Sequence, residues 1–445
     1  MRAVSRKLLT LALLAWLAIA VTSLVTGPAL GHDEAAFGIA ARGDGPAWLY
    51  RSTGVIWLAK LGVALGGGDV AMRLASVLLG LGLVVATWLV GSRLSPRAGG
   101  WAALVVAGAH PMALRSAELI GDLPATACVL TGIAVMAGEL SRPDADGGPR
   151  WRLVWVAPLF ALGFYFRYGS APVIAIAAVA ALALWPRRIL RAPVVATVGL
   201  FALLLAPHAI ESLRATGSLF GILEVSSKMP RRAYVGEGLV TYLTSNPFRF
   251  YGALVAPLAI AGLAGLARPT RIRVFLVAIA LGQLVAIGLQ SHAQPRYVFV
   301  ATTLLVAVGV DVVTGVPWQR WLARTGAALV GLAWLAALAI TVPYNRWLAG
   351  ERAPLMAAAT AIAADGAGPC TFACRVVTQL SWYTGCEGLL LRDVAALPRM
   401  TAARSYVVSI PHGLIDLAPI AAQQGAIATV LPTGDDRAHV WRLSR

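Results

Sequence analysis

The sequence predicts a polytopic α-helical membrane protein with a small α/β domain at its C-terminal end. The chain has 445 residues, of which 58% are hydrophobic and only 13% are charged, and its mean hydropathy is +0.75. One water-soluble core cannot bury that much apolar surface, so the bilayer is the main solvent of the chain. From residue 345 onward, the composition changes to that of a soluble domain.

Eleven apolar segments are predicted to cross the bilayer. Several are shorter than the roughly 20 residues that a span needs, so their ends must extend into the flanking residues, and the count is good to about one helix. The segments are Leu8 to Val25, Val70 to Val90, Gly99 to Leu114, Leu123 to Ala137, Leu153 to Phe166, Ala171 to Trp185, Ala192 to Ile210, Gly252 to Ala267, Val274 to Leu289, Val298 to Val316 and Gly326 to Tyr344.

The positions of the cations predict the orientation of these segments, because cytoplasmic loops are enriched in Lys and Arg. The formal net charge is +17, yet the 37 Lys and Arg residues form short clusters between apolar runs and not one basic face, which argues against nucleic-acid binding. Alternate connections carry these clusters and are predicted to be cytoplasmic: Arg2, Arg6 and Lys7; Arg93 and Arg97; Arg142, Arg150 and Arg152; Arg187, Arg188 and Arg191; Arg268, Arg271 and Arg273; Arg320 and Arg324.

This orientation predicts a multi-pass protein of the cell (inner) membrane with a cytoplasmic N-terminus. Residues 1–344 form the predicted membrane domain, and residues 345–445 form the extracytoplasmic appendage. The alternative for the first segment is a signal peptide, since Ala29-Leu30-Gly31 resembles a small-residue cleavage site. The first outer loop contains Thr53 to Leu65, which is too short to span the bilayer and predicts an interfacial helix.

Alternating short runs predict the α/β fold of the appendage. The appendage also contains Cys370, Cys374 and Cys386, and its predicted extracytoplasmic location allows one disulfide, although the sequence does not select the pair and three buried thiols are the alternative. The predicted strands are Arg375 to Gln379, Leu389 to Arg392, Tyr406 to Ile410 and Ile427 to Leu431, and the predicted helices are Ala353 to Ala364 and Leu414 to Gln424.

Three carboxylates are predicted to lie on the outer face of the membrane. Asp33 and Glu34 directly follow the first span, and Asp122 lies in a short turn that begins the fourth. Charge beside a bilayer is costly unless it has a partner or a function. Convergent carboxylates suit sugar transfer, in which one accepts the proton of the acceptor hydroxyl while others orient the acceptor or hold a cation. The alternative is that each acid caps a helix N-terminus.

An ordered set of short motifs resembles one enzyme superfamily of the GT-C kind, which includes the dolichyl-phosphate-mannose protein mannosyltransferases and the aminoarabinose transferases. The resemblance extends over roughly residues 8 to 310. The motifs that carry it are Asp33-Glu34-Ala35-Ala36-Phe37, Met72 to Ser76, Arg115-Ser116-Ala117 through Asp122-Leu123-Pro124, and Phe166-Arg167-Tyr168-Gly169.

The resemblance implies roles for the three acids. Asp33 matches the first-loop acid that is the proposed catalytic base, while Glu34 and Asp122 match supporting acids that bind the acceptor or a cation. It further implies inversion at the anomeric carbon, because direct displacement by a hydroxyl needs a base and no enzyme nucleophile. The sequence implies no cofactor with certainty. A divalent cation at the acidic cluster stays open, and His32 beside it is either a ligand or a hydrogen-bond partner.

Cations at the outer interface are the candidates for binding the phosphate of a lipid-linked donor. Arg296, in Gln294-Pro295-Arg296-Tyr297, matches an Arg-Tyr pair of the superfamily. The alternative is that these side chains only reach lipid headgroups. The further candidates are Arg167, Lys228, Arg231 and Arg232.

The sequence therefore predicts a glycosyltransferase that moves a sugar from a polyprenyl-phosphate donor to a hydroxyl of a lipid, polysaccharide or protein. Its predicted partners are that donor, the acceptor and membrane lipids. The alternative from another class is a transporter or flippase for a lipid-linked saccharide, which should show repeat symmetry and charged residues deep in its spans. Asp311 is the one carboxylate predicted deep within a span.

Overall fold

A computed structural model describes residues 2–43, 51–142, 150–189, 191–228, 232–317, 320–391, 400, 402–411 and 414–444. The helices are α1 (Arg2–Val25), α2 (His32–Arg42), α3 (Thr53–Ala64), α4 (Asp69–Leu94), α5 (Pro96–Ala107), α6 (His110–Ala113), α7 (Asp122–Ser141), α8 (Val156–Phe166), α9 (Ala171–Leu184), α10 (Pro186–Ile189), α11 (Ala192–Thr216), α12 (Gly221–Lys228), α13 (Glu237–Thr244), α14 (Pro247–Phe250), α15 (Val255–Ala264), α16 (Arg271–Gln290), α17 (Phe299–Gly315), α18 (Arg320–Ala364), α19 (Val377–Thr384) and α20 (Ala418–Gln424). The strands are β1 (Cys370–Cys374), β2 (Glu387–Leu390), β3 (Arg404–Ser409), β4 (Ile427–Leu431) and β5 (His439–Ser444).

The chain divides into two compact units. The long segment of the second unit begins at Val342, close to the predicted boundary at residue 345. That unit also includes much of the first outer loop, which the prediction gave to the membrane domain, so the two-domain division at residue 345 stays a prediction. The first unit is Met1–Leu24, Trp48–Leu58 and Arg73–Thr341, and the second is Val25–Ala47, Ala59–Met72 and Val342–Arg445.

The first unit is a helical bundle with an apolar core. Trp16 of α1 is fully buried in that core, and the indole of Trp88 donates a hydrogen bond to Ser5 Oγ at 2.9 Å. Glycines allow α15 and α17 to approach closely: a Cβ on Gly309 would lie 1.9 Å from the carbonyl oxygen of Leu258. Small residues at helix contacts are typical of membrane bundles.

The predicted apolar segments are helical over most of their lengths, although the third is broken at Gly108 between α5 and α6. Within the described residues, seven helices are long and apolar enough to cross a membrane, and the predicted count of eleven stays a prediction. The predicted interfacial segment is helical as α3. The seven candidates are Ala3–Val25, Asp69–Leu94, Asp122–Ser141, Ala192–Thr216, Arg271–Gln290, Pro295–Gly315 and Arg324–Ala364.

A five-stranded mixed sheet forms the centre of the C-terminal domain, with strand order β2-β1-β3-β5-β4. The strands β2, β1 and β3 are parallel, and β5 is antiparallel to both β3 and β4. Because side chains alternate along a strand, Phe372 and Tyr406 pack with Ile362 of α18 on one face. Val407 packs with Ile420 of α20 on the other. The predicted α/β fold of this domain is confirmed.

Three details of that prediction are wrong. The run Arg375 to Gln379 was predicted as a strand because of its β-branched residues, but most of it lies in α19, where Thr378 and Leu380 are buried. Tertiary burial overrides such local preference, and Gly385, with a φ of 69°, ends the helix. The prediction also omitted two strands that are each paired on both sides: β1, which directly precedes the misassigned run, and β5, whose run Val440-Trp441-Arg442-Leu443 is short.

One disulfide joins Cys370 to Cys386, with a Cα–Cα distance of 4.8 Å. The pair that the sequence left open is therefore resolved. Cys374 is a buried free cysteine, and burial raises the pKa of its thiol.

Removing the disulfide with the double variant Cys370→Ser/Cys386→Ser is expected to destabilise the C-terminal domain by about 3 kcal/mol, as for a loop of roughly 15 residues. Thermal unfolding of the purified protein measures the loss, and Cys374→Ala is the control that leaves the bond intact. Thiol labelling of the denatured wild type should modify Cys128 and Cys374 without reductant and all four cysteines with it. Labelling of all four without reductant would contradict the disulfide.

Candidate active site

A buried carboxylate in the first unit binds two arginines. Asp122, the first residue of α7, is 3% exposed. Arg167 forms an ion pair with Asp122 Oδ1, and Nη1 of Arg296 lies 4.0 Å from Asp122 Oδ2. Two guanidinium groups and one carboxylate leave a net charge of +1. Both arginine side chains keep some exposure, 26% and 18% respectively.

The absence of a side chain at Gly121 permits this arrangement. A Cβ on Gly121 would lie 1.8 Å from the carbonyl oxygen of Phe166, the last residue of α8. The backbones at the start of α7 and the end of α8 therefore touch. Because Asp122 and Arg167 directly follow these two residues in the chain, this backbone contact brings their side chains together.

Replacement of Gly121 by Ala is expected to destabilise the protein by about 1 to 3 kcal/mol, the usual cost of overpacking. It should also weaken binding of a polyprenyl phosphate, because α7 must move away from Arg167. Gly199→Ala is the matched control, since a Cβ on Gly199 in α11 meets no atom within 4 Å. Thermal unfolding and lipid binding are the measurements, and equal results for the two variants would contradict the assigned contact.

A strained turn positions Arg296. Ala293 has a φ of 60°, in the left-handed region that costs a non-glycine residue about 1 to 2 kcal/mol. After this turn, Arg296 Nε donates to Gln294 Oε1 at 2.7 Å. Gln283 of α16 donates from Nε2 to the carbonyl oxygen of Tyr297 at 3.0 Å. Gln294 therefore orients the guanidinium directly, and Gln283 of α16 holds the backbone of the next residue, Tyr297.

Both guanidinium groups lie close to the ring of Tyr297. The Cζ atom of Arg167 is 4.6 Å from its centroid, and that of Arg296 is 5.7 Å from it. Both distances allow cation–π attraction, which holds an arginine in place without using its N–H donors. Nearby, Tyr242 donates to the carbonyl oxygen of Gln294 at 3.4 Å. Burial raises the pKa of Tyr242 to about 12, which keeps this phenol protonated as a donor.

The acidic pair lies in the second unit, in the first turn of α2. The backbone N–H of Gly31 donates to Glu34 Oε2 at 2.7 Å, and Glu34 is 4% exposed. Asp33 is half-buried, and the adjacent His32 is exposed. The helix N-terminus stabilises the negative charge of both acids. Glu34 therefore holds the start of the helix, while the more accessible Asp33 is the better candidate for proton transfer.

The remaining predicted cations have contacts elsewhere. Lys228 pairs with Glu224 at 2.7 Å, and both side chains are exposed. Arg232 donates to the carbonyl oxygen of Leu289, at the end of α16. Arg231 lies outside the described residues. Of the predicted phosphate-binding residues, the structure thus brings Arg167 and Arg296 together around Asp122.

Among the residues that the structure describes, no group of three or more His, Cys, Asp or Glu side chains is arranged to hold a metal ion. The carboxylate predicted deep in a span, Asp311, accepts hydrogen bonds from Arg273 Nε at 3.1 Å and Nη2 at 2.7 Å. Asp311 lies near the end of α17 and Arg273 near the start of α16. The carboxylate of Asp311 is therefore paired with Arg273, and the pair joins the end of α17 to the start of α16.

Sequence reasoning missed Gln294, Gln283 and Tyr297 as parts of the arginine site. The Gln-Pro-Arg-Tyr run was the available signal for Gln294 and Tyr297, because both flank the predicted Arg296. No local signal marks Gln283, which acts from a different helix. The prediction also treated Asp122 as an acid near Asp33, and its pairing with Arg167 and Arg296 could not be read from their separate motifs.

Comparisons with known proteins agree with this architecture. Residues 51–210 match the family model described as dolichyl-phosphate-mannose-protein mannosyltransferase. No curated protein sequence matches the chain.

Solved structures match over nearly the whole chain. The crystal structure of ArnT from Cupriavidus metallidurans bound to undecaprenyl phosphate is similar with a TM-score of 0.71 and 14% identity, covering 98% of this chain and 97% of that one. The Archaeoglobus fulgidus oligosaccharyltransferase in its apo form gives a TM-score of 0.57 and 9% identity, covering 91% and 69%. This chain therefore has the fold of these solved structures, and its likeness to ArnT extends over nearly the whole length of both chains.

Proposed function

We propose that this protein is an inverting glycosyltransferase that moves a sugar from a polyprenyl-phosphate carrier to a hydroxyl acceptor at the outer face of the membrane. One observation carries the proposal: two partly exposed arginines converge on one buried carboxylate, in a fold shared with ArnT bound to undecaprenyl phosphate. The Archaeoglobus fulgidus oligosaccharyltransferase AglB, in complex with a dolichol-phosphate, also has this fold, with a TM-score of 0.54.

The donor phosphate binds at Arg167 and Arg296 in this proposal. Guanidinium groups present paired N–H donors that match the oxygens of a phosphate. Asp122 neutralises one of the two positive charges and orients both side chains, so the site has a net charge of +1 before the anion binds. As the bond between sugar and phosphate breaks, negative charge grows on the leaving phosphate, and fixed cations stabilise it. The positive charge of the outer loop makes a weaker contribution to phosphate binding in this proposal, and the residues that supply it are Lys228, Arg231 and Arg232.

Asp33 is the proposed base. It removes the proton from the acceptor hydroxyl as the oxygen attacks the anomeric carbon, and the carrier phosphate leaves from the opposite side, which inverts the configuration. Glu34 supports this step by fixing the first turn of α2 through the N–H of Gly31. The proposal places the loop of Asp33 and the C-terminal domain outside the cytoplasm, and the acceptor is a lipid, a polysaccharide or a protein.

The test of this function is a donor comparison with purified protein. A synthetic polyprenyl phosphate carrying a radiolabelled sugar should support transfer to a membrane extract, whereas the corresponding nucleotide sugar without lipid carrier should not. The competing transporter predicts a different outcome, in which lipid-linked saccharide crosses the bilayer of a proteoliposome and no sugar leaves its carrier. Efficient transfer from the nucleotide sugar alone would overturn the proposal.

A further inference from the structure

We infer that α19 of the C-terminal domain, closed into a loop by the disulfide, is a positioning element for the helix that carries Asp33. This inference rests on the proposed function, because it assigns α19 a role in holding the proposed base. All the contacts that support it lie within the second unit. The C-terminal domain is then part of the catalytic apparatus and not an inert appendage.

The first group of contacts fixes the backbone just before α2. Leu30 is fully buried. Its N–H donates to Tyr383 Oη at 2.5 Å, and its carbonyl oxygen accepts from Gln379 Nε2 at 3.3 Å. Buried backbone groups need such partners, since an unsatisfied one costs about 1 to 3 kcal/mol. Two side chains of α19 therefore satisfy both backbone groups of a residue that lies three positions before Asp33.

A third residue of α19 packs directly against α2. The indole of Trp382 fills the space beside Gly38, where a Cβ would lie 2.6 Å from the ring. The guanidinium of Arg42 stacks over the same ring with its Cζ 3.6 Å from the centroid, and its Nη1 donates to the carbonyl oxygen of Trp382 at 3.2 Å. Trp382 thus contacts the middle and the end of α2, which leaves the helix little freedom to rotate or slide.

Tyr383 connects this contact to a third segment. Its hydroxyl lies 2.9 Å and 3.0 Å from the two carboxylate oxygens of Asp69, the first residue of α4. The hydroxyl therefore accepts from Leu30 and donates to Asp69, which fixes its direction. In addition, the guanidinium of Arg352 in α18 donates to the carbonyl oxygen of Ala29, the residue before Leu30. The backbone that leads into the Asp33 helix is held along consecutive residues.

The disulfide gives α19 its rigidity. Cys370 begins β1, and Cys386 follows the glycine that ends α19, so the bond closes a loop that contains the whole helix. β1 and β2 pair in parallel on either side of that helix in the chain. Both ends of α19 are thereby attached to the sheet. A small displacement of a proton-transfer group can cost about 10²-fold in rate, so such attachment bears directly on turnover.

The experiment compares two substitutions that each remove one hydrogen-bonded tyrosine hydroxyl from the second unit. Tyr383→Phe keeps the ring and removes the hydroxyl that holds Leu30. Tyr406→Phe is the matched control: its hydroxyl donates to Asp365 at 2.7 Å and accepts from Arg404, within the sheet of the C-terminal domain. The kcat of transfer, the KM for the donor, polyprenyl phosphate binding and thermal unfolding are measured for both variants.

Tyr383→Phe should lower kcat about 10- to 100-fold, while the KM for the donor and polyprenyl phosphate binding change less than about 2-fold. Tyr406→Phe should lower the thermal unfolding midpoint at least as much and leave kcat near the wild-type value. Trp382→Ala should resemble Tyr383→Phe, with Trp382→Phe restoring part of the rate.

Equal kcat values for Tyr383→Phe, Trp382→Ala and wild type would overturn the inference. If those variants are active while Asp33→Asn is inactive, the inference fails but the proposed base stands, whereas an active Asp33→Asn removes the base itself.

Discussion

Replacement of Asp33 by Asn is expected to lower kcat by about 10²- to 10⁴-fold, the usual contribution of a general base. The amide keeps the size and hydrogen-bonding capacity of the carboxylate but cannot take up the proton of the acceptor hydroxyl. Binding of a polyprenyl phosphate should stay within about 2-fold of the wild type, because the proposed phosphate site lies in a different unit of the chain. Transfer assays and lipid binding on purified protein separate the two effects.

Asp416→Asn is the control for this substitution. Asp416 is exposed and accepts a hydrogen bond from the N–H of Ala418 in the C-terminal domain, so the same chemical change there should leave turnover unaltered. Glu34→Gln should give an intermediate loss, since the amide oxygen still accepts from Gly31. Wild-type turnover by Asp33→Asn with its true donor would exclude Asp33 as the base.

Replacement of Arg296 by Ala is expected to weaken polyprenyl phosphate binding about 10- to 100-fold, the value of a charge-assisted hydrogen bond of about 1.5 to 3 kcal/mol. The rate of transfer should also fall, because the lost cation would stabilise the leaving phosphate. Arg296→Lys should restore only part of both, since an ammonium supplies a point charge without the paired donors of a guanidinium. Equilibrium lipid binding and single-turnover kinetics are the measurements.

The matched control breaks a similar ion pair away from the proposed site. The side chains of Arg273 and Asp311 are 19% and 10% exposed, and those of Arg296 and Asp122 are 18% and 4% exposed. Arg273 donates two hydrogen bonds to Asp311, whereas Arg296 Nη1 lies 4.0 Å from Asp122, so Arg273→Ala should remove at least as much structural stabilisation. It should lower thermal stability without a specific loss of lipid affinity. If both variants lose the same stability and neither loses affinity, Arg296 is structural and the phosphate lies elsewhere.

The sequence predicts those parts of the fold that depend on local composition. Apolar runs identify the helices, and β-branched runs identify β3 and β4, because the segments carry their own hydrophobic pattern. The run at residues 375–379 misleads for the same reason: its local preference is for a strand, and burial against the sheet makes much of it helix α19. The alternation that marks β5 is only a few residues long, too short to separate it from a loop.

The candidate site was predictable residue by residue but not as an assembly. Asp122, Arg167 and Arg296 each stand in a separate motif, and the pairing of Asp122 with Arg167 depends on the backbone contact at Gly121. The contacts of α19 with α2 and the segment before it were not predictable at all. Gln379, Trp382 and Tyr383 carry no motif, and their partners lie at the opposite end of the chain.

That separation along the chain has a consequence for biosynthesis. The hydrogen bonds from Leu30 to Tyr383 and from Gln379 to Leu30 join residues 353 and 349 positions apart, and the one from Asn345 to Thr26 spans 319. At about 5 to 20 residues per second, the ribosome needs on the order of tens of seconds to make the later partners. Until then, the backbone N–H and carbonyl groups of Leu30 lack the hydrogen-bond partners that they have in the folded protein. A nascent chain can thus insert its early helices before α2 has its contacts with α19. If α19 has the proposed positioning role, a chain that terminates before it would occupy the membrane without becoming active.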